Sequence, residues 1–194
     1  MKKTTLMMSM FGLACAAANT AQASDGTINF TGSIVASTCK INGGTNDLTV
    51  ALPKASTNQL TAVGATAGRT PFKLTLSGCA TDQKAGETTT PAPVKKVSVA
   101  FEPGPNVDLA TGRLNLTGTG AAGGVQIAIL NDKYAPIKIG AESSAQGVQT
   151  VDIDTAVGGT GSATLQFAAQ YVATSSTVTG GSANSSVTYS LVYP

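Results

Sequence analysis

The chain has 194 residues, 12 basic and 10 acidic, with no histidine, no tryptophan and only 11% charged residues. Without histidine, Ser-His-Asp and Cys-His mechanisms and the usual zinc sites are excluded. No basic patch suits a phosphate backbone, so nucleic acid is not an expected partner.

Residues 1–23 read as a secretion signal. Lys2 and Lys3 form its basic start, residues 6–18 are mostly apolar, and Ala21-Gln22-Ala23 is a small-x-small cleavage site. The apolar run is too short to span a bilayer as a helix. An uncleaved anchor is the alternative. Cleavage after Ala23 leaves about 170 residues, the size of one domain. It also removes Lys2 and Lys3, the whole of the +2 charge excess. A charge-balanced chain repels its own copies little, so self-association is permitted.

The next run, residues 24–34, alternates. Gly26, Ile28, Phe30, Gly32 and Ile34 share one side of an extended strand, and Thr27, Asn29, Thr31 and Ser33 the other. Strand character continues to Ile41 and ends at the turn signal Asn42-Gly43-Gly44. Leu48, Val50 and Leu52 alternate up to Pro53, which predicts a strand. Residues 54–68 read as a connection with a helical turn near 57–62. Phe72, Leu74 and Leu76 predict a strand that Cys79 follows, and residues 81–93 a polar loop.

Val97, Val99 and Phe101 predict a strand stopped at Pro103. Leu114 and Leu116 mark a short one, followed by a Gly-rich turn at 118–124. Further strands are predicted at Val125, Ile127 and Ile129, at Ile137 and Ile139, at Val151 and Ile153, and at Leu165 to Tyr171. Residues 174–186 read as a Ser/Thr/Gly-rich loop. Val187, Tyr189, Leu191 and Tyr193 share a face of the last strand, and Pro194 ends the chain. Nine or ten short strands with turn residues between them, and no convincing 3.6-residue period, predict an all-β sandwich.

Little in this chain suggests chemistry. Asp152 and Asp154 share a strand face, but they flank Ile153, which would point inward and leave both carboxylates in water. The Gly-rich turn lacks the Lys-Ser/Thr ending of a phosphate loop and does not fit a dinucleotide fingerprint. No cofactor and no enzymatic activity are expected. Cys15 leaves with the signal, so Cys39 and Cys79 remain as a pair. In an exported chain a disulfide is expected, worth about 4 kcal/mol for a loop of this length; two free buried thiols are the other reading. The terminal patterned runs fit ordinary edge strands or, because exposed edges are usually covered, a strand supplied by another molecule.

The whole chain resembles the structural subunits of chaperone–usher fimbriae, the type 1-like major fimbrial subunits of Gram-negative bacteria. Gly26-Thr27-Ile28-Asn29-Phe30-Thr31-Gly32 is similar to that family's N-terminal extension, and the 40-residue separation of Cys39 and Cys79 to its disulfide spacing. Gly124-Val125-Gln126-Ile127-Ala128-Ile129-Leu130 and Phe167-Ala168-Ala169-Gln170-Tyr171-Val172-Ala173 resemble its central and penultimate strands. Gly181, fourteenth from the end, and penultimate Tyr193 match its C-terminal signature. Leu52-Pro53-Lys54, Ala67-Gly68-Arg69-Thr70-Pro71-Phe72, Phe101-Glu102-Pro103-Gly104-Pro105 and Val192-Tyr193-Pro194 are most similar to serotype fimbrial subunits of the Bordetella type.

The resemblance implies an incomplete immunoglobulin-like β-sandwich completed by a donor strand from another subunit. It implies a signal peptide at 1–23, a donor-strand extension at 24–36 and a pilin domain at 37–194. Gly26, Ile28, Phe30, Gly32 and Ile34 would be the inserted face. Gly181, Val187, Tyr189, Leu191 and Tyr193 would belong to the groove strand. A periplasmic chaperone would fill the groove first, and at an outer-membrane usher the next subunit's extension would replace it. The product would be an adhesive surface fimbria built of identical or related subunits, with a host-surface receptor as a further partner if the fibre has one. A minor adaptor or adhesive tip subunit is the alternative. Only Ser24 and Asp25 would precede Gly26, so the extension's tip would be short and polar.

Overall fold

The computed structural model describes residues 27–32, 39–80, 94–155 and 160–194. It divides into Met1–Ser33 and Ile34–Pro194, and all of the strands lie in the second unit. The predicted signal at 1–23 and the loop at 81–93 lie outside the described residues, as do Gly26 and Ile34.

Ten strands and three single 3-10 turns make up the regular structure of the described residues, without an α-helix. The strands are β1 (Lys40–Ile41), β2 (Thr66–Ala80), β3 (Lys96–Phe101), β4 (Val107–Asp108), β5 (Arg113–Asn115), β6 (Val125–Leu130), β7 (Val151–Asp152), β8 (Asp154–Thr155), β9 (Thr160–Ala173) and β10 (Tyr189–Val192). A seven-stranded sheet runs β1-β2-β9-β6-β5-β4, with β8 also on β9, and a three-stranded sheet runs β10-β3-β7. Every named pairing is antiparallel. The core gathers Leu74, Leu76, Leu165, Phe167 and Ile127 of the large sheet with Val97, Val99 and Phe101 of the small one. Phe167 is its aromatic hinge point, stacked on Phe72 at 5.4 Å and edge-on to Phe101 at 5.5 Å.

The central strands explain the two apolar patterns in the sequence. The first half of β9 alternates buried and exposed, as a strand with one covered face should. Its second half and all of β6 are buried throughout. There the opposite face carries a second small cluster, Ala128, Leu130, Ala168 and Val172. Two polar residues share this stretch and are satisfied. Gln126 Nε2 donates to Asp108 Oδ2 at 2.8 Å and Asn115 Oδ1 at 3.0 Å, and Gln170 Oε1 accepts from Arg69 Nε at 3.0 Å. The bond from Gln126 first, then those from the Thr111 side chain and the Ala110 amide, hold the Asp108 carboxyl below its ordinary pKa.

β2 is longer than its alternating residues suggested. It carries Cys79 inside the strand and shifts register against β9 at two places, between Ala67 and Thr70 and between Leu76 and Cys79. Gly68 and Gly78 sit at those shifts with φ of 66° and 65°, the left-handed geometry a bulge can demand. Cys39 and Cys79 are joined in a disulfide, their Cα atoms 4.1 Å apart.

Three predicted strands come out differently. Ile137 and Ile139 are deeply buried but form no strand. Their main-chain amides reach Ile129 and Gly112 across a loop. Val151 and Ile153 do not share one strand. The chain pairs with β3 through β7, breaks at buried Ile153, whose amide donates to the Lys95 carbonyl at 2.8 Å, and then pairs with β9 through β8. It thus changes sheets at Ile153, and exposed Asp152 meets Lys96 at 2.6 Å. Among the described residues, the alternating Leu48, Val50 and Leu52 also enter no sheet.

Candidate functional site

That segment forms one wall of an open cleft. The cleft holds about 880 Å³. One wall is residues 48–55. The other is residues 178–181 and 183–186, the chain leading into β10. The floor is apolar: Leu60, Val125, Ile127 and Tyr171, all core residues. Burial pushes the Tyr171 phenol above its ordinary pKa.

The two walls are built differently. Among the described residues, residues 178–186 are hydrogen-bonded to the connection between β5 and β6 and, at their C-terminal end, to Asn115 and Asn106. Thr179 exchanges main-chain bonds with Gly123, Ser182 with Gly120 and Ala122, and the Asn184 carbonyl accepts from Thr117 at 2.8 Å. Gly181 is required here. A Cβ on it would lie 2.5 Å from both the Ala122 nitrogen and the Gly120 carbonyl oxygen. The other edge of this wall faces the cleft. β10 continues the same arrangement, paired with β3 on one side and with no named strand on the other.

The opposite wall is a ribbon without a ladder. Leu52 and Ala55 pack on the core, and the capping box of Ser56 and Gln59 starts the 3-10 turn Thr57–Gln59 behind it. Leu48, Thr49 and Ala51 are exposed. At its far end, Tyr189 Oη donates to the Asn46 carbonyl at 2.6 Å. Burial, and secondarily the charge of Asp47, push the Tyr189 phenol above its ordinary pKa.

Of the residues expected to form the groove strand, Gly181 lines the cleft directly. Val187, Tyr189, Leu191 and Tyr193 are half-buried against the core, while Thr188 and Ser190 between them are exposed. The strand proper is shorter than expected, Tyr189–Val192, so Val187 and Tyr193 flank it. Of the expected inserted face, Ile28 is 80% exposed and Phe30 is 91% exposed, and a Cβ on Gly32 would meet nothing within 4 Å. Residues 27–32 carry no strand assignment. Sequence reasoning missed the second wall and the floor. The signal for the wall is the alternation of Leu48, Val50 and Leu52, a pattern that an ordinary paired strand shares.

Among the described residues, the arrangement offers two main-chain edges without a ladder partner over an apolar floor. Such a site takes an extended peptide, with backbone bonds on the edges and alternate side chains in the floor.

Comparison with known proteins gives concordant results. The profile of the type-1 fimbrial protein family, described as "Type-1 fimbrial protein, A", matches residues 52–194. The major fimbrial subunit SMF-1 of Stenotrophomonas maltophilia is 41% identical over 177 residues, covering 89% of this chain and 95% of that protein. The serotype 2 fimbrial subunit of Bordetella pertussis is 35% identical over 199 residues, covering 92% of this chain and 91% of that one. Among solved structures, a chain of a chaperone–usher pilus superposes with a TM-score of 0.55 at 20% identity, covering 88% of this chain and 96% of that one, which is a likeness of fold.

Proposed function

The chain belongs to the type-1 fimbrial protein family and is a structural subunit of a pilus, and from that premise we propose that it joins the fibre by donating a strand to its neighbour. The observation that carries this reading is the cleft between residues 48–55 and 178–186, with its apolar floor and, among the described residues, its two main-chain edges without a ladder partner. The donor is the run from Gly26 to Ile34 of the next subunit. At about 3.3 Å per residue, its roughly nine residues reach about 30 Å, as does the 178–186 wall.

In this reading Ile28 and Phe30 fill the floor, and Gly26, Gly32 and Ile34 continue the inserted face. Gly181, Val187, Tyr189, Leu191 and Tyr193 hold the accepting strand in place from beneath and behind. Insertion is head-to-tail and heterologous, so it need not close and produces a filament. Residues 1–23 direct export. A periplasmic chaperone lends a strand to the same edge until an outer-membrane usher exchanges it for the next subunit's extension. The fibre stands on the cell surface and serves adhesion.

The test is removal of residues 24–34 from the mature chain. By size exclusion, the shortened subunit should remain able to form a complex with a periplasmic chaperone but should no longer assemble once released. Assembly at the full-length rate would overturn the proposal.

A further inference from the structure

The ribbon of residues 46–55, whose stretch 48–55 lines the cleft, is poorly secured for something that must flank an inserted strand. Its Leu52–Ala55 end packs on the core. Between that end and Asn46, residues 48–51 have open space on both sides. They line the 880 Å³ cleft on one side and a second hollow of about 490 Å³ on the other, against Thr70, Phe72 and Thr75 of β2. Among the described residues, the hydrogen bond that ties residues 46–55 to the rest of the chain is the one from Tyr189 Oη to the Asn46 carbonyl, at 2.6 Å.

We propose that Tyr189 is a strut: its phenol spans from the accepting strand to the opposite wall and holds the cleft at the width of one added strand. This deepens the donor-strand reading and rests on it. A tyrosine side chain plus a short hydrogen bond reaches about two inter-strand spacings, roughly 9–10 Å, which is the separation of two strands with a third between them. The ring is half-buried and packed on the core, so its direction is fixed. Only the hydroxyl contacts the wall through a hydrogen bond. Tyr189 is therefore a positioning residue: it prepares the cleft, so that an arriving strand does not also have to order its far wall. Without the hydroxyl, the ribbon is free to lean toward β10 or into the hollow beside β2.

The substitution Tyr189→Phe tests this, because it keeps the ring and removes the strut. Limited proteolysis of the full mature chain before assembly should show residues 46–52 losing protection from cleavage at Leu48 while β6 and β9 keep theirs. Assembly should slow by about 5-fold, the weight of one neutral hydrogen bond. Wild-type protection at 46–52 together with wild-type assembly would overturn the strut. So would loss of protection in β6 and β9, which would make the hydroxyl a support of the whole fold. The chain lacking residues 24–34, run in parallel, separates the two levels of the argument. If it assembles normally, the donor-strand reading fails. If it does not, and Tyr189→Phe assembles normally, only the strut fails.

Discussion

Replacing Ile28 and Phe30 together by alanine should cripple assembly without touching the stability of the subunit. Both side chains are solvent-exposed in the free chain, at 80% and 91%. Removing them therefore costs the fold little, within about 0.5 kcal/mol. Inserted over Val125, Ile127 and Tyr171, each would leave water almost completely. Full burial of a side chain of this size contributes about 1.5–3 kcal/mol. Ordering each one takes back about 0.5–1 kcal/mol. The pair is thus worth about 1–5 kcal/mol to insertion, or about 5-fold to 4,000-fold in affinity. The assay is competition: synthetic peptides spanning residues 24–34, native and doubly substituted, are added to assembling subunit, and the concentration that halves polymer growth is read. The substituted full chain is melted alongside. A doubly substituted peptide that competes as well as the native one would refute the reasoning. So would a substituted chain that melts well below the native one, since it would place these side chains in the subunit's own core.

Gly181→Val should force the 178–186 wall off the connection it is bonded to, because the atoms a Cβ would meet are main chain at 2.5 Å. We expect a loss of about 1–3 kcal/mol in chemical denaturation, together with slower assembly; an unchanged midpoint would show that the wall yields freely. Opening the Cys39–Cys79 bridge, which closes a separation of 40 residues, by paired serine substitution should cost about 2–5 kcal/mol. Equal denaturation midpoints with and without the bridge would count against that.

Much of the sandwich was legible because its strands obey period two. The residues that alternate in β2, β3, β6 and β9 are the ones that form the core, and Ile153 points inward between two exposed aspartates as alternation requires. Alternation states which side of an extended segment faces the core. It does not state whether the backbone has a partner. Leu48, Val50 and Leu52 carry the pattern of a paired strand, yet their segment enters no ladder. That is the difference between a sheet and the wall of a cleft. For the same reason the alternation of Ile137 and Ile139 predicts a strand that does not form. Their burial is real, but it is achieved in a loop whose amides bond individually to Ile129 and Gly112. The sheet change at Ile153 was hidden because β7 and β8 are two residues each, too short for any pattern to separate them.

The site divides in the same way. The β10 face is legible in the alternation of Val187, Tyr189, Leu191 and Tyr193, whereas Gly181 stands out only through the resemblance of the chain's end to the family's C-terminal signature. The contact from Tyr189 to Asn46 joins residues 143 apart. It depends on the fold bringing one hydroxyl to one carbonyl, and no local pattern encodes that.

The most direct test of the central claim is an electron micrograph of cells whose only copy of this subunit lacks residues 24–34. Strand donation predicts bare cells, with the shortened subunit retained in its chaperone complex. Long fibres built from the shortened subunit would contradict it.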